Sequence, residues 1–76
     1  MANEYYAYRI QPEDVEQNHK DVSRPVGMKD LLGIQDKMFT ARQMVAMARA
    51  AGAANYGLLI IFENDRARVL FRTDGL

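Results

Sequence analysis

The sequence predicts an α+β domain: one amphipathic helix packed on a small antiparallel sheet of about three strands. Three observations carry this. Residues 40–52 hold a complete set of helix start and stop signals. Residues 56–73 hold two apolar runs separated by a two-residue polar turn. Residues 4–10 alternate with the period of two that a half-buried strand needs.

The first element is a strand, Glu4 to Ile10. Tyr6, Tyr8 and Ile10 fall on one face, and Tyr5, Ala7 and Arg9 on the other. Pro12 ends it, because proline has no amide hydrogen to give to a ladder. Residues 11–38 are read as an irregular or partly helical insert. Up to Pro25 the segment is polar, with only Val15 and Val22 strongly apolar. Pro12-Glu13-Asp14 begins either a short helix, with proline at its first position and acids at the positive end of its dipole, or a long loop. Leu31, Ile34 and Met38 stand at helical spacing within Met28 to Met38. Gly33 interrupts them, so the reading is a short helix broken or kinked at that glycine.

Thr40-Ala41-Arg42-Gln43 is a capping box. The threonine oxygen accepts from the Gln43 amide, and the Gln43 side chain reaches back to the threonine amide. Phe39 and Met44 form the matching hydrophobic staple. The helix then runs from Ala41 to Ala51, with Gly52 as its left-handed terminator. Met44, Met47, Ala48 and Ala51 make the apolar stripe, Val45 lies beside it, and Arg42, Ala46 and Arg49 look away.

Tyr56–Glu63 and Arg66–Thr73 form a hairpin around Asn64-Asp65, two residues that tolerate positive φ. An unbroken ladder from that turn pairs Glu63 with Arg66, Phe62 with Ala67, Ile61 with Arg68, Ile60 with Val69, Leu59 with Leu70 and Leu58 with Phe71. The core face beneath the helix is then Leu58, Ile60, Phe62, Ala67, Val69 and Phe71. The second face carries Leu59, Ile61 and Leu70, bordered by Arg66, Arg68 and Arg72. Either the middle segment or Met28–Met38 folds back over this face, or the apolar centre rimmed by arginines is an interaction surface, and on the second reading these six residues are the partner-binding site.

Composition narrows the function. The chain has 76 residues, no cysteine, and ten basic against ten acidic residues. That is one domain, without a disulfide scaffold or thiolate metal site, and without the positive excess of a dedicated DNA-binding domain. No apolar run approaches membrane-spanning length, and the N-terminal residues lack the pattern of a signal peptide, so a cytoplasmic location is expected. His19 is the only histidine and Ser23 the only serine. The acids near His19 have no ligand spacing, no nucleophile elbow surrounds Ser23, and the five glycines form no phosphate loop. Glu13 and Asp14 are adjacent and point apart, so they make no catalytic pair. The expectation is no catalysis, no cofactor and no metal.

Charge is unevenly placed along the chain. Residues 1–38 are net −2 and residues 39–76 net +2, and every basic residue of the second half is an arginine: Arg42, Arg49, Arg66, Arg68 and Arg72. A helix-turn-helix made of Met28–Met38 and Ala41–Ala51, with the hairpin as a wing, would turn Arg42, Gln43, Ala46 and Arg49 toward a groove. That winged-helix-like regulator is one alternative reading. A structural homodimerisation protein is another.

The run Ala41-Arg42-Gln43-Met44-Val45-Ala46-Met47, then Gly52, Asn55-Tyr56 and two short apolar strands, resembles the C-terminal half of small phage-encoded anti-CRISPR proteins of the type I class. An N-terminal strand before it fits as well. The likeness covers about half the chain. It implies a non-enzymatic inhibitor that binds a host CRISPR effector complex and blocks DNA recognition or nuclease recruitment. The partner so implied is another protein, part of a nucleic-acid-processing complex, met in the host cytoplasm. No functional residue follows from the resemblance.

Overall fold

Two of the four strands bury consecutive side chains, one on each face of the sheet, and that double-sidedness organises the molecule. The computed structural model describes residues 3–15, 28–52, 56–64 and 66–74. His19, Ser23 and the rest of residues 16–27, together with Asn55 and Asp65, lie outside the described residues. The elements are β1 (Tyr5–Ile10), β2 (Leu31–Gln35), α1 (Ala41–Ala50), β3 (Leu58–Glu63) and β4 (Arg66–Arg72), with single 3₁₀ turns at Pro12–Asp14 and Met28–Asp30. All pairings are antiparallel and the strand order is β2-β1-β3-β4. The class is α+β as expected, with four strands in place of about three.

The helix forms where its signals stand. The Gln43 amide donates to Thr40 Oγ1 at 3.1 Å, and the Thr40 amide donates to Gln43 Oε1 at 2.9 Å. Phe39 and Met44 are both buried in the cluster beneath the helix, so the staple is closed. Gly52 has φ 72°, the left-handed conformation that a glycine terminator supplies. Met44 and Ala48 are buried, and Met47 packs against the same cluster.

The fourth strand corrects the reading of Met28–Met38 as a broken helix. Leu31–Gln35 is β2, and it pairs with β1 through Tyr5–Gln35, Tyr6–Ile34 and Ala7–Gly33. The register then shifts by one, so that Tyr8 faces Leu31 and Leu32 is the extra, bulged residue. Leu32 joins the cluster under the helix, while Leu31 packs on the opposite side. A Cβ on Gly33 would sit 3.5 Å from Met47 Sδ and 3.5 Å from Phe39 Cε1, ordinary contact distances that place Met47 and Phe39 directly over the strand. Because Leu31–Gln35 is a strand, Met28–Met38 does not supply the first helix that a helix-turn-helix would need.

A second bulge corrects the faces of the hairpin. Glu63–Arg66 and Phe62–Ala67 pair as expected, but Ile61 then faces Val69, Ile60 faces Leu70, Leu59 faces Phe71 and Leu58 faces Arg72. Arg68 is the extra residue, and beyond it β4 is displaced by one position against β3. Val69 and Phe71 therefore share a face with Leu59 and Ile61, and this is the face α1 covers, together with Ala7, Phe39, Met44 and Ala48. Leu58, Ile60, Phe62 and Ala67 lie on the other face with Tyr6, Tyr8, Ile10 and Leu31. Ile60 and Phe62 are buried there without the helix, the Phe62 and Tyr8 rings nearly perpendicular with their centres 5.8 Å apart.

Candidate functional site

The six predicted site residues do not share one surface. Leu59 and Ile61 are 1% and 0% exposed beneath α1, so they belong to the core and not to an exposed patch. The physical reason is the Arg68 bulge, which brings Val69 and Phe71 to their face and leaves that face apolar enough to bury the helix stripe. The other four, Arg66, Arg68, Leu70 and Arg72, remain exposed along β4, which is an edge strand of the sheet.

These four divide between the two sides of that edge. Leu70 and Arg72 are on the wall of an open depression of about 660 Å³, whose other walls include Pro12, Val15, Tyr56 and Asp74. Arg72 makes a two-pronged contact with Asp74, Nε to Oδ1 at 3.2 Å and Nη2 to Oδ2 at 2.6 Å. That contact holds the Asp74 carboxyl below the usual carboxylate range, though the pair is exposed and worth little to stability. Tyr56 is held from behind by the Arg9 guanidinium, 4.4 Å from the ring centre, while Arg9 Nε bonds Asp30 Oδ1 at 3.2 Å.

Arg66 and Arg68 belong to the helix side. Glu63 lies opposite Tyr5 on β1 and Arg66 on β4. The cross-strand pairing of Glu63 with Arg66 stands, while the ion pair of Glu63 is with Arg68, Nε to Oε2 at 3.1 Å. Glu63 Oε1 also accepts from the Tyr5 hydroxyl at 2.8 Å and from Asn3 Nδ2 at 2.7 Å. Donating to Glu63 raises the Tyr5 pKa above its ordinary 10.0, helped by desolvation and by the nearby negative charge. The folded state thus holds the phenol proton more tightly than the unfolded chain. That contribution is present in full below the unfolded value and is lost as pH rises through the folded one. An ultraviolet titration of tyrosinate is expected to contain a component above 10.0 that Tyr5→Phe removes; superimposable curves would contradict the network.

Two arginines outside the predicted set complete the basic side. On α1, Gln43 exchanges hydrogen bonds with Gln35 of β2 at 3.0 and 3.3 Å, and Met47 lies over Gly33 of the same strand. At 3.6 residues per turn, Val45 and Arg49 then emerge on the opposite flank, the one facing β4, with Arg42 and Ala46 next to them. Arg42, Arg49 and Arg66 are exposed and, among the described residues, form no ion pair. The sequence signal for the helix pair was the spacing of seven in a helix without an acidic residue.

Among the described residues, no group of three or more His, Asp or Glu side chains could hold a metal, and no helix is long and apolar enough to cross a membrane. Arginines on an edge strand and a helix flank can bind carboxylates or phosphates by paired, charge-assisted hydrogen bonds. No protein-family model, curated protein or solved structure matches the chain.

Proposed function

We propose that the protein is a non-catalytic binding module, an inhibitor of the anti-CRISPR kind, which docks on a host type I CRISPR effector and blocks DNA recognition or nuclease recruitment. The observation that carries the reading is the edge strand β4, where Arg66, Arg68, Leu70 and Arg72 are all exposed. Natural edge strands are guarded by charge against pairing with their own copies. Arginines do that here, and they also favour a foreign surface with acidic groups over a second copy of the chain. Leu70 supplies an apolar contact beside Arg72 on the side of the edge away from the helix. The sequence resemblance points to the same class of partner, and the cytoplasm is where it would be met.

Purified type I effector complexes incubated with the protein are expected to lose target-DNA binding or nuclease recruitment. Arg66→Glu with Arg72→Glu is expected to restore both while the thermal midpoint stays near the parent's, since surface changes usually cost within about 0.5 kcal/mol. Effector complexes that bind and cut DNA unimpaired in an excess of the protein contradict the inhibitor assignment. A double variant that inhibits as well as the parent contradicts β4 as the docking edge.

A further inference from the structure

We infer that the β4-facing flank of α1 is a second docking surface, built to receive an acidic polypeptide segment with an apolar residue between its carboxylates. The inference rests on the binding-module reading and extends its contact surface from the edge strand onto the helix. Arg42 and Arg49 stand two turns apart on the outer helix flank, about 10 Å along the axis. The shallow depression of about 380 Å³ between them is floored by Ala41, Val45 and Ala46. Small side chains there leave room for an incoming apolar group, and half-buried Val45 offers it a contact.

Charge decides the chemistry of the occupant. The helix has two arginines and no acid in ten residues. The Gln35–Tyr5–Glu63–Arg66 row lies at one end of the sheet, and Gln43 of the first helical turn bonds to Gln35 of that row. The start of α1 therefore sits at the end of the sheet that carries Arg66 and Arg68. Among the described residues, Glu63 on this side of the sheet has its oxygens taken by Arg68, Tyr5 and Asn3, and Asp30 is paired with Arg9 at the far end of the sheet. The overall charge of the chain is zero, so this flank is a local concentration of positive charge and not part of a general excess.

A polypeptide fits better than a nucleic acid. The floor is apolar, which suits a leucine or methionine side chain and offers nothing to a phosphodiester. The lining of the depression includes no aromatic ring on which a base could stack. Carboxylates spaced by about two helical turns on either side of an apolar residue would meet Arg42 and Arg49 together.

The probe is a short synthetic peptide of glutamates around a central leucine, compared with an oligothymidylate of matched charge. Titrated into isotope-labelled full-length protein and followed by amide NMR, the peptide is expected to shift Arg42, Val45, Ala46 and Arg49. Arg42→Glu with Arg49→Glu is expected to weaken peptide binding by at least about tenfold, and Arg42→Gln with Arg49→Gln by less, with both variants retaining the dispersed spectrum of a folded chain. A glutamate double variant that binds the peptide like the parent, or shifts confined to β4, overturns the helix site. That outcome leaves the edge-strand reading standing, because that reading is judged on the Arg66 and Arg72 variant with effector complexes. Oligothymidylate binding as tight as the peptide, with a steep loss on adding salt, overturns the polypeptide occupant in favour of nucleic acid.

Discussion

Phe62→Ala is expected to destabilise the protein by about 3–5 kcal/mol, the usual cost of removing a buried phenylalanine. Phe62 is 6% exposed, on the face of the sheet away from the helix, and its ring packs nearly perpendicular to that of Tyr8. Its cluster includes Tyr8, Ile10 and Ile60, with Tyr6, Leu31, Leu58 and Ala67 packed around them. Alanine leaves a cavity that neighbours on a paired sheet cannot collapse to fill. In a domain of this size each kcal/mol shifts the melting midpoint by about 4–8 °C, so the loss is large. Chemical denaturation with an unchanged slope measures it. A variant that unfolds like the parent would mean that this face is not part of the core.

Ile61→Ala is expected to cost about 2–5 kcal/mol for the same reason on the opposite face. Ile61 is 0% exposed, under α1, in a cluster with Ala7, Phe39, Met44, Ala48 and Leu59. Adjacent residues of one strand point to opposite faces, so Ile61 and Phe62 test the two cores separately. Were the sheet apolar on one side only, one of the two substitutions would be nearly silent. Leu70→Ala, at 37% exposure on the edge strand, serves as the control and is expected to cost far less than either.

The capping box, the hairpin turn and the first strand were legible because each is a local device. Thr40 and Gln43 act within one turn, and Asn64 takes the positive φ, 49°, that its residue type tolerates in a turn. What failed was long-range registration. A bulge whose extra residue is an ordinary arginine or leucine leaves no mark in composition, yet each shifts a ladder by one position. At Leu32 the shift broke the alternation that would have identified β2, and Gly33 then looked like a defect in a helix. At Arg68 it exchanged which residues of β3 share a face with Val69 and Phe71. Leu59 and Ile61 were therefore placed in the candidate site when they belong under the helix. The arginines were found because exposure of a charged side chain does not depend on register. Arg42 and Arg49 were visible as residues turned away from the stripe, but their nearness to β4 depends on which flank of the helix meets β2.

One packing relation decides which surfaces remain for a partner: α1 covers Leu59 and Ile61, which leaves the arginine-bearing edge and the helix flank. A methyl NOE spectrum measures it directly. Cross-peaks joining the Ile61 and Leu59 methyls to Met44 and Ala48 are predicted. Cross-peaks joining Met44 and Ala48 to Ile60 or Phe62 instead would place the helix on the other face and contradict the account.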